Sequence, residues 1–519
     1  MKKKEHIHDG DIILKNGSDV SILKEGMVIN GHLILDAAPP VRLPNNMTIL
    51  GSLKILRTEV VKDFWPEHIH VKGNLTIQDS NVQYLPSNLG TVKNLVCFNI
   101  PLQCLPDKLV IQEDLNLNGT NIQSLPEGVT CGRNITIIHS HLSKLPSNLH
   151  VHGRLNVAHN MLTSLPDGMV VGGDLHISNN PLNTLSEGLV VNGSLVMHDT
   201  LVKRIHSRVR VSGDWVCNDS PIEHISSKVQ MLHAVNLDNT LVSELHTAGE
   251  GLSIANTGIT SLPYGTKFLK FLNASGSALK ELPDNLVIEG DLDLSRTPID
   301  SLPYNLVVGN CLSLEGSLVT YIPSNLIVSN TLLVSGEEEI QFPKKVQVGF
   351  QVCDNAKGMD CQVEKVAEHA LMSNKKDRFI YVNPKLFKVL EELKDHYRCV
   401  TLDGRPAYTY HDGKGLFAIG STLLEAKIKW DSMFDTKKES EYESLTLDSR
   451  VTLREAFQCF YAVTFEDVAV DELLKTRFSK YDDNETLTIR QFMEGMKGQP
   501  GIKAFVSFFK KKEARAARP

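Results

Sequence analysis

Along most of the chain two apolar residues flank one polar residue, and the triplet returns every twenty positions: Leu115-Asn116-Leu117, Ile135-Thr136-Ile137, Leu155-Asn156-Val157, Leu175-His176-Ile177. Alternation over so few residues is the period of a short strand, with Leu115 and Leu117 on one face and Asp114, Asn116 and Asn118 on the other. Aligned on Leu292, the unit begins at positions 33, 53, 75, 95, 115, 135, 155, 175, 195, 215, 235, 252, 272, 292, 312 and 332. That is sixteen copies, with a degenerate lead-in over residues 12–30 and a decayed trailer near Phe350-Gln351-Val352. A lone strand of this length buries too little to persist, but stacked in parallel the strands place their leucines in one continuous core. The register slips by two between Leu53 and Leu75 and loses three residues between Val235 and Leu252. A solenoid absorbs such changes in its loops and a closed barrel does not.

Two further positions complete the unit. Five residues past the first leucine stand Thr58, Ser80, Thr120, Ser140, Asn160, Asn180, Thr200, Ser220, Thr240, Thr257 and Thr297. Their side chains are suited to hydrogen-bond backbone groups of adjacent turns, as a buried polar row must. Of the 22 prolines, nine follow a leucine in one register, among them Leu105-Pro106, Leu165-Pro166 and Leu302-Pro303, and Pro66, Pro323 and Pro343 hold the same slot after Trp65, Ile322 and Phe342. Proline lacks an N–H and fixes φ, so the return path is expected to be extended and the convex side mostly non-helical.

Composition narrows the function. The 519 residues are 41% hydrophobic and 6% aromatic, with a net charge of -7. Residues 1–353 carry 26 Lys+Arg against 34 Asp+Glu, and residues 354–519 carry 28 against 27. Such a balance has no nucleic-acid footprint, and the basic run Lys510-Lys511-Lys512 with Arg515 and Arg518 reads as a solvated, frayed tail. No apolar run is long enough for a membrane span, and Glu5 to Asp11 follows Met1-Lys2-Lys3-Lys4 where a signal peptide would be apolar. Nine cysteines without a C-x-x-C pair point to reduced thiols rather than a disulfide framework or a zinc module.

The repeat, in the form L-P-x-x-L-x-V-x-G-x-L-x-L-x-x-T-x-I, resembles the leucine-rich repeat of the short leucine-proline type. It is most similar to the EspR-type effectors that enteric pathogens inject by type III secretion. The resemblance covers residues ~30 to 353 and implies a leucine-rich-repeat solenoid of short parallel strands. It further implies a protein–protein interaction module of a secreted effector, delivered without a cleavable signal peptide and acting as a monomer in the host-cell cytoplasm. The expected organisation is an N-terminal segment and first repeat over 1–30, the solenoid over 31–353, and a small α+β domain over 354–519.

Sixteen strands at ~4.8 Å spacing make a ladder on the order of 75 Å long, whose outward positions form an extended concave face suited to a host protein. The candidate partner-binding residues on it are Asp114, Asn116, Asn118, Arg154, Asn156, Asp174, His176, His198, Asp214, Asn236, Asp291 and Asp293. They are short and polar with a mild acidic bias, which suits a somewhat basic patch, although any water-exposed strand face is polar. His139, His159, His176 and His198 fall on four adjacent strands, but they differ in position within their repeats and are read as surface histidines rather than metal ligands. No metal or cofactor is expected.

After Pro343 the period stops, and Asp354-Asn355-Ala356-Lys357-Gly358 reads as a boundary. Helical spacing predicts helices over Met359 to Ser373, from Asn383-Pro384 through Leu393, over Ser421 to Trp430, Leu453 to Val463, Thr464 to Phe478 and Leu487 to Met496. Strands are predicted at Arg378 to Val382, Cys399 to Leu402, Ala407 to Tyr410 and Gly415 to Ile419. The alternative to a binding protein is an enzyme whose C-terminal domain is a cysteine-dependent transferase, ubiquitin-ligase-like, or a hydrolase. The C-x-D motif of leucine-rich-repeat ligases does not occur at Cys353, Cys361, Cys399 or Cys459, so no catalytic residue is assigned. The sharpest remaining set is Cys399, Asp403, His411 and Asp412; Cys361 with Asp360 and His369 is weaker. Tyr481 to Ile489 imitates a calcium loop through Asp482, Asn484 and Thr486, but Leu487 takes the glycine slot and Met493 the glutamate slot.

Overall fold

The computed structural model describes residues 6–334, 340–343, 345–348, 351–352, 362–365, 369–373, 378–382, 385–401, 405–411, 417–434, 439–464, 469–481 and 485–516. The chain divides into two compact units. One comprises Met1–Pro283, Asp293–Asp300 and Glu315–Leu318, the other Asp284–Leu292, Ser301–Leu314 and Val319–Pro519.

In the first unit each leucine triplet is a strand in parallel register with the triplets before and after it. Leu95 stands opposite Leu75 and Leu115, and Leu117 opposite Cys97 and Ile137. The lead-in is a full rung, since Ile12–Lys15 pairs with Leu33–Asp36. The inward residues are sealed: Leu33, Leu53, Leu75, Leu155, Leu175 and Leu195 are all fully buried. Each such side chain contributes about 1.5–3 kcal/mol of transfer free energy.

The polar row forms, although Thr240, Thr257 and Thr297 donate to a carbonyl of their own repeat and Ser80 Oγ is buried without a hydrogen-bond partner. Asn180 Nδ2 donates to the carbonyls of Val157 (2.9 Å) and Ile177 (3.0 Å), while its Oδ1 accepts the N–H of Leu162 (3.0 Å). Thr120 and Ser140 are linked through their hydroxyls at 2.9 Å, and Thr200 and Ser220 at 3.0 Å. Immediately before this row the backbone is left-handed in repeat after repeat, at Asn99, Gly119, His139, His159, Asn179, Asp199, Asp219 and Asn239. Gly, Asn and Asp tolerate that conformation best, which explains their prevalence there.

Past the proline the chain makes a tight turn: the carbonyls of Pro86, Pro126 and Pro146 accept the N–H three residues on. The L-x-V segment that follows is a second, shorter parallel ladder, pairing Thr91–Val92 with Val110–Ile111 and Val110–Ile111 with Thr130–Cys131. The helical content among the described residues of this unit is one 3-10 turn, Val20–Ile22. In the seventeen-residue repeat the ring of Phe271 lies where a Cβ at Gly251 would stand, so the glycine is required by packing.

The second unit begins with the same architecture. Val307–Val308 pairs with Ile327–Val328, Ile327–Val328 with Lys345–Val348, and Lys345–Val348 with Gln362–Lys365, all in parallel. Parallel pairing therefore extends beyond Phe350-Gln351-Val352. An antiparallel six-stranded sheet follows, in the order His369–Ser373, Arg378–Val382, Lys385–Glu392, His396–Thr401, Pro406–His411 and Phe417–Gly420. Two predicted helices are thus corrected. The region expected as a helix over Met359 to Ser373 contains the strands Gln362–Lys365 and His369–Ser373, and Lys385–Glu392 is a strand between two antiparallel neighbours. Phe387 and Val389 alternate toward Ile380, Tyr397 and Cys399, so cross-strand packing overrides the helical spacing.

Among the described residues five α-helices complete this unit: α1 (Leu423–Phe434), α2 (Leu453–Thr464), α3 (Val470–Thr476), α4 (Ile489–Gly495) and α5 (Ile502–Ala516). They enclose a second core with Phe457, Phe460, Phe478, Phe492, Phe505 and Phe509 at its centre. The strands Arg450–Thr452 and Thr486–Thr488 pair antiparallel, Val451 opposite Leu487, and each ends in a threonine that caps the next helix. Thr452 and Glu455 exchange the two bonds of a capping box, as do Thr488 and Gln491. Leu487 therefore sits in a strand, and Asp482 and Asn484 lie outside the described residues. Lys510, Lys511, Lys512 and Arg515 belong to α5 rather than to a frayed tail, with Phe505 and Phe509, one helical turn apart, buried; Arg518 lies outside the described residues. No helix among the described residues is long and apolar enough to cross a membrane.

Candidate protein-binding face

The residues before, within and after each leucine triplet line the outward side of the first unit's ladder. The position before the triplet has a structural duty that strand alternation alone does not reveal. Asp114 Oδ1 accepts the N–H of Asn134 (3.2 Å), Asn134 Oδ1 that of Arg154 (2.9 Å), Asp174 Oδ1 that of Ser194 (2.9 Å), and Asp214 Oδ1 that of Ala234 (3.0 Å). In the second unit Asp291 Oδ1 accepts from Cys311 N (3.1 Å) and Asn310 Nδ2 (2.7 Å). One oxygen of each carboxylate is thus fixed by the backbone, and the side chain is held in one direction. The recurrence of Asp, Asn and Ser before the triplet is the sequence signal for this row.

The middle position faces outward and turns back on its own chain. Asn156, Asn236 and Asp293 accept the N–H two residues on, from Ala158 (3.2 Å), Asp238 (2.9 Å) and Ser295 (2.9 Å). Asn116 is exposed and Asn118 half-buried. Arg154 Nη2 lies 3.1 Å from His176 Nε2, and His198 Nδ1 lies 3.0 Å from Asp199 Oδ2. The rings of His139 and His159 stack at 4.4 Å. Of the four histidines singled out in the sequence, two thus stack, and among the described residues no group of three or more His, Cys, Asp or Glu could hold a metal ion.

Electrostatics follow from these contacts. The hydrogen bond from Arg133 holds the Asp114 carboxyl below the ordinary 3.8. Burial, reinforced by the charges of His139 and His198, lowers His159 below 6.5, and burial with the Arg154 charge lowers His176. At neutral pH both imidazoles are uncharged, so the face keeps its acidic bias.

The thiols of the second unit are placed otherwise. Cys399 is 1% exposed within the antiparallel sheet, 3.9 Å from Thr409 Oγ1, and burial pushes its thiol up to about 11. Cys459 is buried among the helices. His411 stacks on Tyr397 at 4.9 Å. Asp403, Asp412, Cys353 and Cys361 lie outside the described residues, as does the segment Asp354 to Gly358.

Short parallel strands, leucines at fixed spacing and a buried Asn/Thr row define a leucine-rich-repeat solenoid of about sixteen turns. No protein-family model matches the sequence, and no curated protein matches it. Solved structures of similar fold include YopM from Yersinia enterocolitica WA-314, 15% identical over 64% of this chain and 91% of that one, with a TM-score of 0.34. YopM from Yersinia pestis, described as a leucine-rich effector protein, is 18% identical over 49% and 74%, with a TM-score of 0.33. A Leptospira interrogans LRR protein is 16% identical over 49% and 87%, at 0.29. The fold assignment itself rests on the ladders.

Proposed function

We propose that the strand face of the repeats binds a host protein through a basic patch, and that the chain is an effector delivered by type III secretion. The observation that carries the binding reading is the row of backbone-anchored carboxylates, with Asp174 and Asp214 two strands apart on one edge of an open polar face. A side chain already held in one direction loses little rotamer freedom on engaging a cation, which favours a charged partner. The effector reading rests on the form of the leucine-proline repeat.

The test is affinity capture from host-cell lysate with the full chain, comparing wild type with D174K/D214K. A protein retained by wild type and lost on charge reversal is the expected result; equal recovery on both removes the face from consideration. Fusion of a reporter to the first ~30 residues tests delivery, and a reporter that stays in bacteria with an intact secretion system counts against the effector role.

A further inference from the structure

Immediately past the buried polar row, five successive repeats of the first unit carry Met161, Pro181, Leu201, Pro221 and Leu241. Met161, Leu201 and Leu241 are 56%, 51% and 61% exposed. The fold does not ask for apolar groups here. The same position holds Asn81, Pro101, Asn121 and His141 in earlier repeats, and Asn121, Met161 and Leu201 make one and the same backbone bond, N–H to the carbonyl of Leu102, Leu142 and Leu182. Three exposed apolar side chains in alternate repeats, with the half-buried Pro181 and Pro221 between them, form a stripe of the kind that marks an interaction site. Along one margin run the left-handed residues, which include Asp199 and Asp219. On the other margin Lys203 is neutralised by Glu223 at 3.1 Å.

We infer that this stripe is a second docking surface, distinct from the strand face, and that its occupant is a basic amphipathic helix of a partner protein. Four steps of ~4.8 Å make the stripe about 19 Å long, the length of about thirteen helical residues. One apolar helical face spaced i, i+3, i+4, i+7 covers such a strip, and lysines or arginines along its flank meet Asp199 and Asp219. Asp219 accepts a hydrogen bond from Asn239 Nδ2 at 2.7 Å and Asp199 is held by His198, so both carboxylates are positioned in advance.

The test uses the full chain and a labelled fourteen-residue leucine/lysine helical peptide, with its leucine/glutamate counterpart. The basic peptide binds with an affinity that falls with salt, and L201N/L241N weakens it by about tenfold or more. Asparagine already occupies this position at 121, so the variant folds, and an unchanged melting temperature verifies it. D199N/D219N reduces the salt dependence. D174K/D214K leaves peptide binding intact, which separates this surface from the strand face. Equal binding of both peptides, or no effect of L201N/L241N, overturns the inference. So does a wild-type dimer that the variant dissolves in sedimentation equilibrium, since the occupant is then a second copy. Leucine-dependent association with phosphatidylserine vesicles overturns it in favour of a membrane.

Discussion

The carboxylate of Asp114 accepts the backbone N–H of Asn134 on Oδ1 at 3.2 Å, and the guanidinium of Arg133 donates to both of its oxygens, Nε to Oδ1 and Nη2 to Oδ2. One residue thereby ties its own repeat to the next and orders the acidic edge of the strand face. Because its folded-state pKa lies below the ordinary 3.8, with the Arg133 bond as first cause, its contribution is complete above that value and is lost as pH falls through the folded one. Melting temperatures of D114N across pH 2–5 are expected to fall less steeply with acid than those of wild type; parallel curves exclude the linkage.

His159 and His176 titrate with the opposite charge and the same direction of shift. Their folded pKa values lie below 6.5, so the unfolded chain binds protons first. Stability is full above pH 6.5 and declines as pH drops below it. H159Q/H176Q is expected to flatten the melting temperature between pH 7.5 and 5.5, as read by calorimetry.

Truncation in the buried row leaves backbone groups of two repeats without a partner. N180A leaves the Leu162 N–H and the Val157 and Ile177 carbonyls without that partner in a sealed core, which costs about 2–4 kcal/mol. N180T, the residue found at position 200, is expected to lose less. Urea unfolding of the two variants checks the order.

In the second unit Asp431, 2% exposed at its side chain, receives Nε and Nη2 of Arg454 at 2.6 and 2.7 Å, and the guanidinium lies 5.1 Å over the Tyr410 ring. Removing one partner leaves a charge in the interior, so D431A is expected to destabilise by about 3–5 kcal/mol, and D431L/R454M to restore most of it. Thermal unfolding of the single and double variants measures the coupling.

Thiol chemistry gives a residue-resolved check. Cys104 is exposed, whereas Cys97, Cys217, Cys399 and Cys459 are buried, with the Cys217 thiol pushed up to about 12 by burial. Brief maleimide treatment at pH 7.5 followed by peptide mapping is expected to label Cys104 and to reach those four only in denaturant.

The repeat was legible because the same burial recurs: Leu115, Leu175 and Leu195 declare their face by period alone, and Asn180 declares the polar row. Alternation places Asp174 outward but says nothing of the Ser194 N–H it serves, because that partner lies twenty residues away and is brought near only by the stacking of the repeats. Phe387, Val389 and Leu390 satisfy helical and strand spacing alike, and the pairing with Arg378–Val382 and His396–Thr401 decides between them. Lys510 to Lys512 draws the eye to a tail, while Phe505 and Phe509 hold the helix. The T-x-x-E and T-x-x-Q boxes at Thr452 and Thr488 mark the starts of α2 and α4 in the sequence itself.

The seventeen-residue repeat shows what the ladder demands of heredity. Gly251–Ser253 still pairs with Ala234–Asn236, although three residues are missing from the return path. Each rung offers its successor the same surface it takes from its predecessor, so an in-frame duplication or loss of one twenty-residue unit leaves every remaining junction as it was. Gain or loss of whole units can then lengthen or shorten the strand face in single steps without rebuilding a core.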